Sequence, residues 1–329
     1  MRIGVFCSGG DAPGMNACIR AVVRAALAGG HEVVGIRRGY QGLLEEDFHI
    51  NAEGQPRMTL RCVSNILQRG GTILHTSRCS QMYKEAGQRR AAEVLHRHGI
   101  DALVPIGGDG TIRGAMALSR FYPGRIVSCP GTIDNDLCGT DATIGFYTAV
   151  STAVEAMDKV RDTAESHERL FLVEVMGRHS GYIALYSALA GGAEIACIPE
   201  TPTDIPAIVE QLRQMKARGK TSVLMMVAEG DELGGAADIQ RLLQEHQCPY
   251  PTRAVVLGHL QRGGCPVPED RLLALQLGAF AVECLEQGHS GCMVGVRDGR
   301  PVRVPWADAV RGHHRVPPEL VRLLEAMSR

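Results

Sequence analysis

Short β-branched runs that stop at glycine or proline recur through this chain, and no other feature restricts its fold as much. They are RIGVF (2–6), EVVGI (32–36), ALVPIGG (102–108), RIVSCPG (125–131), FLVEVMG (171–177), SVLMMVAEG (222–230) and AVVLGH (254–259). Helical patterns lie between them. Val150, Val154, Met157, Val160 and Ala164 are spaced by three to four residues, or near it, which puts an apolar stripe on one helix face. A second pattern runs over 268–287 behind a proline start. Runs apolar on both faces, such as VLMMVA, suit strands covered on both sides in a parallel sheet. Strands alternating with helices at this spacing predict parallel βαβ units and a doubly wound α/β architecture. At 329 residues the chain can form two domains of ordinary size or one large unit. Composition marks no linker and no solenoid repeat. Residues 45–62, polar and irregular, predict a surface excursion or a β-hairpin.

The net charge of −1 leaves no bulk field to recruit nucleic acid or an anionic membrane. Anions must therefore be held by local groupings. The eleven cysteines are dispersed and contain no C-x-x-C pair, which argues against a disulfide framework or a zinc ribbon and for buried thiols. The first residues reach glycines and a charge too soon for a signal-peptide core, and no run of about eighteen apolar residues exists; the predicted address is cytoplasmic. Trp306 is expected to pack, and His313 and His314 to lie at the surface.

Four segments place glycine beside acids, hydroxyls or basic groups directly after a predicted strand: SGGDAPG (8–14), GGDGT (107–111), PGTIDND (130–136) and GHLQRGG (258–264). In open α/β sheets the ligand crevice lies beyond the carboxyl ends of the strands, where such loops sit. Glycine lets backbone N–H groups approach a phosphate, and a following helix N-terminus favours negative charge. A glycine after a strand also makes a tight turn with no ligand at all. Familiar nucleotide signatures are missing. No G-x-G-x-x-G follows the first strand, and Gly219-Lys220-Thr221 fails as a P-loop because Gln214 stands where glycine is required. Protein-kinase motifs are absent too.

Thr132-Ile133-Asp134-Asn135-Asp136 carries the strongest chemistry. Phosphoryl transfer needs a base near the nucleophilic oxygen and a metal bridging phosphate oxygens, and two carboxylates in a loop can divide these roles. An acidic loop can equally cap a helix, and Asp109 in G-D-G is also good turn chemistry. Arg78, Arg161, Arg169, Arg178, Arg253 and Arg262 fall mostly near strand ends or glycine turns, where a guanidinium can take phosphate bidentately.

With these segments in order the sequence resembles the bacterial-type ATP-dependent 6-phosphofructokinases. The match rests on SGGDAPGMNA (8–17), IGGDGT (106–111), PGTIDND (130–136), VEVMGRHSG (173–181), AGGAEI (190–195) and VLGHLQRGGCPVPED (256–270), and it covers essentially the whole chain. The resemblance implies two Rossmann-like domains: a larger ATP-binding one over 1–145 and 262–311, and a smaller sugar-phosphate one over 146–261 and 312–329. It implies transfer of the γ-phosphoryl group of MgATP to the 1-hydroxyl of fructose 6-phosphate, a step of glycolysis. By resemblance Gly10, Arg78, Cys79, Gly108, Asp109, Gly110 and Thr111 would hold ATP, and Asp109 and Asp136 would direct Mg²⁺. Asp134 would be the general base, flanked by Thr132 and Asp136, with Thr132 and Arg178 sharing in catalysis, Arg178 on the transferring group, and Ile133 touching the substrate. Met176, Gly177, Glu229, His259, Leu260, Gln261 and Arg262 would hold the sugar phosphate, and Arg169 and Arg253 would reach it from a neighbouring subunit of a homotetramer.

The family's effector site would fall at Arg20, Arg24, Arg61, Arg161, Gly192, Ala193, Glu194, Arg218, Lys220, Thr221 and Ser222, implying activation by ADP and inhibition by phosphoenolpyruvate. The chain departs from the pattern here: region 42–77 is longer, Arg218 stands where lysine is common, and Thr221 where a further basic residue occurs. Relatives using pyrophosphate replace the glycine after the aspartate in GGDG by aspartate, and the glycine of PGTIDND by lysine. This chain keeps Gly110 and Gly131, which favours ATP. A pyrophosphate-dependent relative and a catalytically silent ligand-binding subunit are the alternatives; the second should have lost Asp109, Asp134 or Asp136, and all are present.

Overall fold

Strand β1 (Arg2–Cys7) starts a chain of parallel crossovers in the computed structural model, which describes residues 1–312 and 314–328. There follow α1 (Met15–Ala28), β2 (Glu32–Gly35), α2 (Gly39–Glu45), α3 (Glu85–Arg97), β3 (Ala102–Gly107), α4 (Asp109–Leu118), β4 (Arg125–Pro130) and α5 (Phe146–Ser166). Next come β5 (Leu170–Val175), α6 (Tyr182–Gly191), β6 (Ile195–Cys197), α7 (Ile205–Ala217), β7 (Val223–Ala228), α8 (Ala236–Glu245) and β8 (Thr252–Val256). The chain ends with α9 (Pro268–Glu286), β9 (Cys292–Arg297), β10 (Arg300–Pro305), α10 (Trp306–Ala309) and α11 (Pro318–Met327).

Two units result. The first comprises Met1–Ile133, Leu137–Tyr147 and Arg262–Gly312; the second comprises Asp134–Asp136, Thr148–Gln261 and the described residues beyond Gly312. The first unit holds a six-stranded sheet in the order β10-β9-β4-β3-β1-β2, parallel except for β10. The second holds a four-stranded parallel sheet in the order β6-β7-β5-β8. Non-consecutive neighbours in both sheets make them doubly wound, as the strand and helix alternation predicts.

The strands are apolar on both faces because helices cover both. β3 and β7 are buried throughout. On one side of the first sheet, α1 and α9 approach closely: a Cβ built on Gly278 would lie 2.7 Å from the Ala21 Cβ and 2.9 Å from the Cys18 carbonyl, so only glycine permits this spacing. On the other side Phe6, Tyr40, Leu43, Ile112 and Trp306 share one cluster. Trp306 does pack, and its indole N–H donates to the Ser128 hydroxyl at 3.2 Å. Burying a side chain of this size contributes roughly 2–3 kcal/mol. In the second unit α7 starts cleanly: the Asp204 carboxylate accepts from the Ala207 N–H at 3.0 Å, a side-chain cap next to a first-turn proline.

Three expectations change. Residues 45–62 form no hairpin. Only Ile36 and Phe48 make an isolated bridge, while the Met58 N–H donates to the Val33 carbonyl and its side chain is fully buried, so the segment covers the outer edge of β2. The β9–β10 hairpin was not among the expected strands, although Asp298 and Gly299 both take positive φ (51° and 73°), the geometry favoured in two-residue turns. In α5 the innermost positions are Ala149, Ala153, Met157 and Ala164: Met157 and Ala164 of the expected stripe are fully buried, whereas Val150, Val154 and Val160 are only half-buried.

All eleven cysteines are free thiols, and six of them are buried. Burial pushes Cys7 and Cys197 up to about 12, so neither is a thiolate at neutral pH. A disulfide reagent at pH 8 is expected to modify exposed Cys265 first and the six buried thiols only on denaturation. Rapid native labelling of Cys7 or Cys197, mapped by peptide mass spectrometry, would contradict this packing.

Candidate functional site

In the first unit the loops after β1 and β3 are laced together. The Ser8 N–H donates to the Ile106 carbonyl at 3.1 Å, and the Thr111 hydroxyl donates to the Ser8 carbonyl at 2.8 Å. Tyr40, edge-on to Phe6, donates its hydroxyl to the Thr111 carbonyl at 2.8 Å. Thr111 is therefore a buried strut between the loops, and Gly107 is glycine because a Cβ there would sit 2.3 Å from the Thr111 hydroxyl. Gly108 precedes α4, whose first residue is Asp109; the Thr111 N–H donates to the Gly108 carbonyl at 3.0 Å, while the Asp109 and Gly110 amides lie outside the helix's own ladder and face whatever stands at its N-terminus. Gly110 points to open space, with nothing within 4 Å of a built Cβ. Gly10 and Arg78 are exposed and Cys79 half-buried.

Arg262 belongs to this unit. Its guanidinium donates to the Asp11 carbonyl at 2.9 Å and lies over Gly10, where a Cβ would come within 2.6 Å of Nη1. The expected sugar-phosphate arginine thus rests on the first glycine loop.

The loop after β4 crosses the division of the chain: Thr132 and Ile133 belong to the first unit, Asp134–Asp136 to the second. Thr132 is held by the Thr143 hydroxyl, which donates to its carbonyl at 2.6 Å. Ile133 is fully buried, so only its backbone can meet a substrate. Asp134 is 4% exposed, and Asn135 between the two acids has φ of 51°. That left-handed residue breaks the alternation of an extended chain, so the two carboxylates need not share a face.

In the second unit Arg178 stands in the left-handed region (φ 54°), at the turn after β5. Its backbone N–H donates to Glu229 Oε1 at 3.0 Å, and the Gly177 N–H reaches the same oxygen at 3.3 Å. Glu229 is thereby a brace for the arginine turn as well as an exposed carboxylate. Gln261 is corrected from substrate contact to support: it is fully buried, accepting from the Met176 N–H at 2.8 Å and donating to the Ala149 carbonyl at 3.4 Å. His259 and Leu260 are exposed, Arg169 is half-buried, and Arg253 is exposed on the edge strand β8.

His314, expected at the surface, is half-buried. Its N–H donates to the Asp136 carbonyl at 3.0 Å, and its ring lies 3.3 Å from the Asn135 carbonyl and 3.1 Å from the Tyr182 hydroxyl. It steadies the acidic loop, a long-range role with no local signal; His313 lies outside the described residues.

The effector candidates divide between the units. Arg20, Arg24 and Arg61 belong to the first; Arg161, Gly192, Ala193, Glu194, Arg218, Lys220, Thr221 and Ser222 belong to the second. Lys220 pairs with buried Glu194 at 2.6 Å, Glu194 also accepts from the Leu224 N–H at 2.8 Å, and Arg161 donates to the Gly191 and Gly192 carbonyls at 2.5 and 2.9 Å. The Gly-Lys-Thr tripeptide therefore sits in this ion-paired loop between α7 and β7, a helix-to-strand connection and not the strand-to-helix loop of a P-loop.

Magnesium can be tested on Asp109. Both its oxygens take the Arg113 Nε at 2.9 Å, and the carboxylate is 41% exposed. Among the described residues no group of three or more His, Cys, Asp or Glu could cage a metal. One open carboxylate fits a magnesium ion that arrives on phosphate oxygens and keeps its waters, not a resident ion.

Comparison with known proteins follows the same lines. Residues 2–285 match the family model described as phosphofructokinase. The chain is 52% identical over 327 residues to ATP-dependent 6-phosphofructokinase 1 of Thermus thermophilus, covering 99% of each. It is 44% identical over 326 residues to ATP-dependent 6-phosphofructokinase 2 of Bacteroides thetaiotaomicron, covering 99% of this chain and 98% of the relative. Among solved structures, Pichia pastoris phosphofructokinase in the T-state aligns with a TM-score of 0.87 at 32% identity; the alignment covers 99% of this chain and 39% of that one. A pyrophosphate-dependent phosphofructokinase from Marinobacter aquaeolei aligns with a TM-score of 0.84 at 23% identity, a likeness of fold alone. Among the described residues no helix is long and apolar enough to cross a membrane.

Proposed function

The chain belongs to the phosphofructokinase family, and from that premise we infer that it transfers the γ-phosphoryl group of MgATP to the 1-hydroxyl of fructose 6-phosphate. The observation that carries this reading is full-length identity of 52% to an ATP-dependent 6-phosphofructokinase in a chain that retains Asp109, Asp134 and Asp136. The sugar's 1-oxygen attacks the γ-phosphorus, the bond to the β,γ-bridging oxygen breaks, and ADP departs. Asp134 accepts the hydroxyl proton, and a base in that role contributes typically 10²–10⁴-fold. Arg178 lies on the transferring group and stabilises its charge. The amides at the start of α4, with Gly10, Arg78 and Cys79, hold the nucleotide. Asp109 and Asp136 would hold magnesium, which when bound neutralises the charge of the phosphate oxygens. Met176, Gly177, Glu229, His259 and Arg262 hold the sugar phosphate.

The donor is ATP. Gly110 opens onto free space, so an aspartate there meets no steric bar; what it adds is a negative charge beside Asp109, where a nucleotide's phosphates must pass. Gly131 is tight, with a built Cβ 3.0 Å from Ile106 and from Met15, and a lysine there would have to displace them. Initial rates with ATP and pyrophosphate at equal concentration are expected to favour ATP clearly, and Gly110→Asp is expected to lower kcat/KM for ATP at least about tenfold. A preference of the unaltered enzyme for pyrophosphate would overturn the donor.

ADP and phosphoenolpyruvate are the proposed effectors, acting at the Glu194–Lys220 site with the arginines named above. A homotetramer is the proposed assembly, and exposed Val256 and Leu260 (60% and 69%) at and beyond the end of edge strand β8 support a subunit face there. The address remains cytoplasmic, as expected for a glycolytic enzyme.

A further inference from the structure

We propose that the cavity beside the β9–β10 hairpin of the first unit is a further anion site, taking a small molecule with several negative charges. The cavity measures about 740 Å³, within the range of ligand pockets. Arg297, Arg303 and Arg311 line it, and its one acid is Asp308. Asp308 is already committed to Arg311 at 2.9 Å. Among the described residues Arg297 and Arg303 have no carboxylate within ion-pair distance, so two guanidinium groups bring uncompensated charge to one concavity. Beside the hairpin the Asp141 carboxylate accepts from the Asp298 N–H at 2.7 Å.

The walls are fixed. Gly139 (φ 82°) packs so tightly on Val304 that a Cβ would lie 2.6 Å away, and the Cys138 N–H donates to the Ala309 carbonyl at 3.0 Å. Arginines on an edge strand also discourage sheet pairing. Any outward-facing charge meets that need, and it does not call for three guanidinium groups around one hollow. Guanidinium forks favour phosphate and carboxylate groups over a monovalent anion.

The site is wired to the nucleotide loop. Arg113 donates to the Val310 carbonyl at 2.9 Å while gripping both oxygens of Asp109 at 2.9 Å. Val310 adjoins Arg311 of the cavity. An occupant that pulls on Arg311 therefore acts on the brace of Asp109, and the apparent affinity for MgATP should change with kcat held.

Titration calorimetry of the full chain with tripolyphosphate and, separately, citrate tests this against the Arg297→Ala, Arg303→Ala double variant. Both side chains are exposed, and the variant is expected to keep its anion-free activity within about twofold, as surface changes usually do. It should lose one binding site per chain for the anion, and with it any anion effect on the KM for ATP. Loss with tripolyphosphate alone marks phosphate groups as what the site takes; loss with both marks polyanions at large. Equal numbers of sites and equal affinities in the two proteins would overturn the proposal. Should melting show the double variant unfolded, Arg303→Glu alone, read in the same titration, decides.

Discussion

Replacing Asp134 by Asn is expected to lower kcat at least about a hundredfold, roughly 2.7 kcal/mol of transition-state stabilisation, while leaving the fold intact. The amide matches the carboxylate in size, so the nearly closed surroundings of a residue 4% exposed need no repacking. What it cannot do is take a proton. The 1-hydroxyl would then attack with its proton in place, and the loss should fall on kcat more than on the KM of either substrate, because the interaction removed is one made as the oxygen becomes a nucleophile. A coupled assay for fructose 1,6-bisphosphate, beside a thermal melt within a few degrees of the parent, reads both halves of the expectation. Near-normal turnover would remove Asp134 from the role of base.

Much of this was legible locally. A strand that is covered on both faces must be apolar throughout, and a turn that meets phosphate must be glycine-rich; both constraints act within a few residues, so β1, β3, β4, β5 and β7 and the loops behind β1, β3 and β4 can be read directly. β6 is three residues long and has no periodicity to detect. In the β9–β10 hairpin a glycine, two prolines and three arginines stand among four valines, and they dilute a pattern that its Asp-Gly turn should have flagged. Supports were harder still. Gln261 reads like part of a ligand loop, yet its amide is spent on the backbone of Met176, 85 residues away in sequence. Nothing around His314 announces that it steadies Asn135 and Asp136. A reactive group is recognised by its own chemistry, whereas a positioning group is defined by a partner that only the fold brings near.

Gly230 is the sharpest case, and Gly230→Ala is expected to cost about a hundredfold in kcat/KM for fructose 6-phosphate with only about 1–3 kcal/mol of stability. A Cβ built there lies 1.5 Å from the Arg178 carbonyl oxygen and 2.7 Å from its carbonyl carbon, so no side chain fits while Arg178 stays where it is. Arg178 has little room to yield. It already occupies the left-handed region, its N–H is held by Glu229, and the preceding Gly177 (φ 145°) is wedged against the Ser180 carbonyl, 2.4 Å from a built Cβ. The methyl group must therefore push the whole arginine turn aside, and a displacement near 1 Å suffices for a loss of this size. If Gly230 acts through Arg178, the two changes cannot add. Arg178→Ala removes the guanidinium, and Gly230→Ala in that background should cost less than about threefold more. Full additivity of the two single losses would show that Gly230 serves something other than the placement of Arg178.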